Sequence, residues 1–323
     1  MKVLFAILIL TFLIGSGKVY SQQKSSPETE PLKYSIRVNF PVNVHHTYTF
    51  TEISKITRYF SDGTSKQFNR ELTYYFGLRA PNDASKDGFN QIEVSVDSLQ
   101  YRFSDGDTTI FFNSQADDMR MPGNDDYKIA SIPLGMSYIV TYSPYNEIVK
   151  IEGDRLETQR EYLTNPATGP SDSLVKNTWL IGLSDFALSN YFDIVKSIPP
   201  TFKAAKDTSW TTAVPVSIEN TQFIDSAKFT LKQITPKNYV IEGQSTKFTP
   251  LATNARMFNI MKLLHLSDAK GTANYTLMIH PRGTVNEFKA VYKIDLTYPL
   301  LSDEFKQTIE TTRHWKLDNM YMW

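Results

Sequence analysis

The chain has 323 residues, 41% of them hydrophobic and 13% aromatic, with 34 Lys and Arg against 34 Asp and Glu and no cysteine. That charge balance argues against a nucleic-acid binder, which needs a basic surface to displace counterions from phosphates, and against polybasic docking on an anionic membrane. Without cysteine there is no disulfide framework, thiolate nucleophile or Cys-based metal site.

The first residues have the three parts of a secretory signal. Lys2 supplies a positive start, residues 3–14 form an apolar run, and Gly15-Ser16-Gly17 breaks it before Val19-Tyr20-Ser21, which suits a signal peptidase. Residues 1–21 therefore read as a signal peptide cleaved near Ser21. The apolar run is short of the roughly 20 residues that span a bilayer as a helix. No cysteine lies near the cut, which excludes lipoprotein acylation. The chain left after cleavage carries 32 basic and 34 acidic residues. The expectation is an exported protein, periplasmic or on the cell surface, soluble and with no transmembrane segment once the signal is removed. Residues 22–33 are polar and read as a disordered leader.

From residue 34 the dominant period is two, the spacing of strands with one buried face. Residues 34–40 and 48–53 alternate cleanly, and 92–103 alternate until Ser98, where the phase slips. Asp62-Gly63 and Asp105-Gly106 separate β-rich runs. Such pairs mark hairpins because glycine takes positive φ without a Cβ clash. Long strands joined by tight turns imply an antiparallel meander. Helices are predicted over 184–196, 255–266 and 302–308. In the first, Ser184 can cap the opening turn, Phe186, Leu188, Tyr191, Phe192 and Val195 share a side, and Pro199-Pro200 ends it. Met257, Phe258, Met261, Leu264 and His265 have helical spacing in the second. All three read as covers over a sheet.

Two segments 137 residues apart match without a gap. Tyr138, Pro144, Asn146, Ile148 and Ile151 correspond to Tyr275, Pro281, Gly283, Val285 and Phe288. Each is a hairpin in which Pro sets φ and Asn or Gly accepts positive φ two residues on. Upstream, residues 228–242, with a turn at Pro236, parallel 71–76 and 91–94, with a turn at Pro81. The chain thus reads as two related halves.

Pro199, Pro200, Asp207 and Trp210, followed by Pro281, Gly283, Val285 and Phe288, carry a resemblance. The pattern, over residues 34 to 298, resembles a family of secreted β-rich proteins of unknown function from gliding and gut bacteria. The resemblance implies a signal peptide and a long, twisted, often duplicated antiparallel sheet. Lys206 departs from the Gly that commonly precedes the Asp, and no catalytic residue carries over.

The remaining groups give no strong chemical signature. His45 and His46 are adjacent and point to opposite faces of a strand, and no His-x-His or His-x-x-x-His spacing occurs. Asp105, Asp107, Asp117, Asp118 and Asn124-Asp125-Asp126 are rich in oxygen, yet no calcium loop with a distal Glu is formed, so they read as solvated loop. Residues 180–185 lack the second glycine of a nucleophile elbow. The excess of aromatics is more informative: a curved sheet left partly uncovered would make an apolar groove.

The fold expected is mainly β: two related antiparallel, strongly curved sheets, half-barrel or clam-like, with a few short covering helices. The domains are 34–183, a helix and Pro-Pro linker at 184–200, and 201–323. The leading function is an exported, non-enzymatic binding protein of the cell envelope. It would enclose a lipid or other hydrophobic small molecule, or dock an envelope protein partner, with Tyr48, Phe50, Tyr74, Phe76, Tyr101 and Phe103 as the ligand-facing aromatics. No catalytic residue, metal or cofactor is assigned. The alternatives are a structural or assembly component of the envelope, and a hydrolase whose site is invisible in sequence. The aromatic ending at residues 321–323 reads as a strand tucked into the second half.

Overall fold

The period-two pattern becomes long strands. The computed structural model describes residues 31–323, except 82–89, 117–120, 144–146, 168, 192, 220, 261, 301–302 and 323. The signal peptide at 1–21, residues 22–30 of the leader, Asp117, Asp118, the turn at Pro144 and Asn146, Phe192, Met261 and Trp323 lie outside the described residues. In the first half the strands are β1 (Tyr34–Ser35), β2 (Val44–Tyr59), β3 (Ser65–Arg79), β4 (Asn90–Ser104), β5 (Thr109–Asn113), β6 (Ser137–Tyr142) and β7 (Ile148–Glu152). Later come β8 (Lys203–Ala204), β9 (Ser209–Ile218), β10 (Thr221–Ile234), β11 (Tyr239–Pro250), β12 (Asn254–Arg256), β13 (Leu263–His265), β14 (Asp268–Ile279), β15 (Val285–Leu300) and β16 (Asp303–Met322).

Both Asp-Gly hairpins form. Gly63 has φ of 82° and Gly106 of 96°, and the preceding aspartates accept from Thr64 N at 2.9 Å and Thr108 N at 3.0 Å. The phase slip at Ser98 is a β-bulge: Tyr75 faces Ser98, but Phe76 faces Val96. Asp97 takes up the extra position, so Val96 and Leu99 both point inward.

Twelve of these strands make one antiparallel sheet in the order β7-β6-β4-β3-β2-β16-β15-β14-β11-β10-β9, with β5 beside β4, while β1 pairs with β8 and β12 with β13. The mainly β, antiparallel architecture is as expected, but the two halves share that sheet instead of forming one each. β16 joins them. It pairs with β15 on one side, from Leu300↔Asp303 to Glu287↔Lys316, and with β2 on the other, from Tyr59↔Lys306 to Val44↔Met322. Where a helix is expected over 302–308, residues 303–308 are the start of β16, because Gln307, Ile309, Thr311, Arg313 and Trp315 alternate inward. Tyr321 and Met322 belong to a central strand. Residues 255–266 are likewise no helix: β12 and β13 pair as a small hairpin, and Phe258 between them packs on Phe68 and Phe103.

The repeat extends to register. In β6–β7, Val140 faces Ile151, Thr141 faces Lys150, and a bulge follows so that Tyr142 faces Ile148. In β14–β15, Leu277 faces Phe288, Met278 faces Glu287, and a bulge follows so that Ile279 faces Val285. Every pair differs by 137. The loops close alike, with Ser143 N donating to Glu147 O and His280 N to Thr284 O, both at 2.8 Å.

One sheet face is covered by chain between β5 and β9. It carries α1 (Asp125–Ala130), α2 (Asp154–Thr164), α3 (Ser173–Gly182), α4 (Asp185–Ser189) and a 3-10 turn over Asp193–Ser197. The helix expected over 184–196 is α4 and that 3-10 turn; Ser184 caps it, accepting from Ala187 N at 3.3 Å. α1, α2 and α3 have weak sequence signatures. In α2 only Leu156 and Leu163 are buried, so no broad apolar stripe marks it. Residues 36–40, expected as strand, instead run across the cover as an extended strap, held by Ile36 N to Phe202 O at 2.9 Å and Asn39 N to Gly283 O at 3.0 Å. No helix among the described residues is long and apolar enough to cross a membrane.

Candidate functional site

Alternation puts β2 residues Tyr48, Phe50, Glu52, Ser54 and Ile56 on the covered face, and β3 does the same with Phe68, Arg70, Leu72, Tyr74 and Phe76. Charged side chains in that phase must find partners, because an unpaired buried ion is strongly destabilising. They find them in one another. Arg70 Nη1 donates to Asp126 at 2.8 Å and Glu219 at 2.9 Å, and its Nη2 to Glu52 at 2.6 Å. Arg313 Nε, from β16, donates to the other oxygen of Glu52 at 2.5 Å, its Nη1 to Asn190 Oδ1 at 3.1 Å, and its Nη2 to Ser217 O. The cluster therefore joins the first half of the sheet, the central strand, the cover and the β9–β10 turn.

The network sets the protonation of its members. Burial pushes Glu52 up, but Arg313 and Arg70 outweigh it and hold the carboxyl below its ordinary value. Burial would lower Arg70, but Glu219, Asp126 and Glu52 keep it well above. Glu219 is pushed up to about 7, first by burial and then by the nearby Asp126 and Glu52, against the pull of Arg70. Its backbone has φ of 52°, the left-handed region that a non-glycine residue rarely adopts.

A cavity of about 80 Å³ opens on this cluster, bounded by Glu52, Arg70, Tyr74, Tyr191, Glu219 and Arg313 among others. A second cavity adjoins it. Val38 and Phe40 of the strap, Tyr48, Leu78 and Tyr142 of the first half, Ile194 and Val195 of the 3-10 turn, and Val285 and Trp315 of the second half line about 20 Å³, almost wholly with carbon. Tyr191 borders both. Its ring sits 5.3 Å from Phe50, 5.8 Å from Tyr74 and 5.4 Å from Phe76.

All six aromatics singled out by sequence are buried on the covered face. Tyr48 borders the apolar cavity, and Phe50 and Tyr74 border the polar one. Phe76 packs on Trp315 at 4.9 Å beside them. Tyr101 and Phe103 lie elsewhere, against Tyr127 and Phe258. Sequence reading did not single out Glu52, Arg70, Glu219 or Arg313, and it took Asp126 for solvated loop, whereas Asp126 is buried at 1% exposure. The signal was present for three: Glu52, Arg70 and Arg313 each stand in the apolar phase of an alternating strand. His46, also in that phase, is buried between Phe40 and Tyr48, and burial lowers its pKa.

No family model and no curated protein matches the chain. Among solved structures, it is similar to lipovitellin, described for its lipid–protein interactions, at 10% identity and TM-score 0.46; the match covers 88% of this chain but only 26% of that one. An outer membrane channel from Pseudomonas putida F1 aligns at 9% identity and TM-score 0.27 over 87% of this chain and 97% of the channel. A LolA superfamily protein from Nitrosomonas europaea aligns at 6% identity and TM-score 0.14, over 88% and 89%. Superpositions this loose assign neither a family nor an activity.

Proposed function

We propose that the chain is an exported, non-catalytic binding protein of the cell envelope that holds the hydrocarbon part of a lipid or similar molecule against the covered face of its sheet. The observation that carries this reading is the carbon-lined cavity where the strap, the 3-10 turn and both halves of the sheet meet. An apolar void stays dry, and filling it with hydrocarbon recovers lost dispersion contacts. As it stands the void is no larger than a water molecule, so a chain enters by displacing the strap. The strap suits that role: Val38 lies between the backbone bonds made by Ile36 and Asn39, and Phe40 just beyond the second, so a short segment swings out at the cost of few hydrogen bonds.

The test is to purify the signal-free chain from its native host, extract it with chloroform–methanol and titrate the stripped protein with a fluorescent fatty-acyl probe. Co-purified lipid and saturable uptake, weakened when Leu78→Trp fills the cavity, are expected. A clean apo mass with no saturable uptake would sink the reading. A second reading, an assembly component without a small ligand, is favoured by the sheet edges: among the described residues no strand pairs with the outer side of β7 or β9. Such edges can accept a partner strand.

A further inference from the structure

His46 lies on the covered face of β2 and is 0% exposed. Its ring stands edge to face with Phe40 of the strap, centroids 5.5 Å apart, and stacks on Tyr48 at 6.4 Å. Neither ring nitrogen has a hydrogen-bond partner of good geometry. Burial lowers its pKa; the nearby backbone of Val44 and Leu78 works against burial without overcoming it, and the adjacent His45 works with it. Among the described residues no other charge bears on the ring. Phe40 of the strap and Leu78, its pairing partner on β3, are apolar, and Met320 is the partner on β16. Tyr48 stays neutral, because burial holds its hydroxyl well above the ordinary value.

Phe40, Tyr48 and Leu78 also line the apolar cavity. The strap that brings Phe40 there is lightly held. Asn39 N donates to Gly283 O at 3.0 Å, Val44 N to Pro41 O at 3.3 Å, and Val42 makes a single bridge to Ala80. Arg37 adds a contact with the Phe202 ring at 5.0 Å. Asn43, where the strap meets β2, has φ of 62°, a left-handed value that suits a hinge. Before the strap, β1 pairs with β8; after it, β2 is fixed between β3 and β16. Residues 37–43 thus form a short segment with few anchors between two fixed ends.

We propose that the strap is an acid-opened gate: a proton on His46 drives Phe40 off the ring, frees residues 37–42 and uncovers the apolar cavity. An imidazolium sealed beneath Phe40 has no anion to offset its lost hydration, whereas water reaches it once the strap has swung out. With the strap open the ring titrates near its ordinary value of 6.5, and with the strap closed it titrates lower. The open form therefore takes up the extra proton. Acidification below 6.5 shifts the balance toward it by up to about tenfold per pH unit, until the closed form protonates as well. Glu219 titrates in the same range with the opposite effect, since its raised pKa, about 7, stabilises the folded chain as pH falls. The gate needs no ligand, so it stands or falls separately from the hydrocarbon reading above.

The experiment is hydrogen exchange of the signal-free chain, read by mass spectrometry at pH 7.5 and 5.0 and corrected for the intrinsic pH dependence of exchange, in wild type and His46→Phe. Protection of residues 37–42 is expected to fall about tenfold or more at pH 5.0 in wild type, while β2 and β3 keep theirs, and to stay constant in His46→Phe. No fall in wild type, or an equal fall in His46→Phe, overturns the gate. Should His46→Phe not fold, the His46 ring itself decides. By NMR its pKa is expected below 6.5 in wild type and near 6.5 in Phe40→Ala, which keeps the ring and removes its lid. A wild-type value at or above 6.5 with residues 37–42 still protected, or an unchanged value in Phe40→Ala, overturns the proposal.

Discussion

Arg70 on β3 donates from Nη1 to Glu219 at 2.9 Å, a carboxylate 149 residues later in the turn between β9 and β10. The same guanidinium holds Asp126 of the cover at 2.8 Å. One side chain thus ties together the first half of the sheet, the second half and the helical cover. Replacing Arg70 by Met would leave Glu219 and Asp126 buried without their cation. A loss of roughly 3–5 kcal/mol in unfolding free energy is expected, the range for breaking a buried ion pair from one side. Urea denaturation of Arg70→Met measures it; a change below about 1 kcal/mol would mean that the cluster is effectively solvated.

The pH dependence follows from Glu219. Its folded pKa, about 7, lies above the ordinary carboxyl value of 4.5, so between those values the folded chain holds a proton that the unfolded chain has lost. Stability from this group is therefore full below pH 4.5 and declines as pH rises to about 7, by an amount on the order of 3 kcal/mol. The groups facing it are Arg70 of β3, Glu52 of β2, Asp126 of α1 and, through Glu52, Arg313 of β16. Glu52 has the opposite sign, its lowered pKa adding stability that is lost on acidification. Glu219→Gln removes the decline between pH 5 and 7, so the wild-type and variant stabilities should differ by an amount that changes with pH across that window. A constant difference would refute the assignment.

Gly283 is held at φ of 100°, where a Cβ would meet Asn39 Cβ at 2.7 Å and Arg37 O at 2.8 Å. Its carbonyl also accepts from Asn39 N, one of the anchors of the strap. Gly283→Ala should cost more than about 1 kcal/mol, because alanine suits neither the backbone nor the space. Limited proteolysis should then cut first within residues 36–42; unchanged cleavage would show that the strap is held elsewhere.

Tyr191 separates the two cavities, and its ring packs on Phe50, Tyr74 and Phe76. Tyr191 is only partly buried, so Tyr191→Ala is expected to lose less than the roughly 3–5 kcal/mol of a fully buried aromatic truncation. It should also merge the voids and raise uptake of an apolar fluorophore at a temperature where the variant remains folded. Loss of stability with no added uptake would indicate that the neighbouring rings collapse into the space.

Much of the fold was legible because its rules are local. An Asp-Gly pair needs only its own four residues to turn, and alternation such as Tyr48-Thr-Phe-Thr-Glu-Ile defines a strand and its inner face at once. The misread helices at 255–266 and 302–308 lack that security, since short apolar segments fit either period and packing decides between them. Phe258 is drawn to the rings of Phe68 and Phe103, and Phe305 to Ile309 extend a strand whose partners are Ile294 to Tyr298 on one side and Ile56 to Tyr59 on the other. The site was harder still. Glu52, Arg70 and Arg313 could be seen as charges out of phase with their neighbours, but Glu219 and Asp126 sit in a turn and a short helix where no period marks a residue as buried.

The amino-acid order alone determined a mainly β, antiparallel chain with a 137-residue repeat, the Asp-Gly hairpins and the buried face of strands such as β2 and β4. It could do so because hairpins and pleats are set by neighbouring residues and by steric limits on φ. Only the tertiary structure decided that both halves share one sheet through β2 and β16, and that five distant charges meet beside a carbon-lined void. Those outcomes depend on pairing between strands more than 200 residues apart and on the mutual neutralisation of buried ions, neither of which has a local signature.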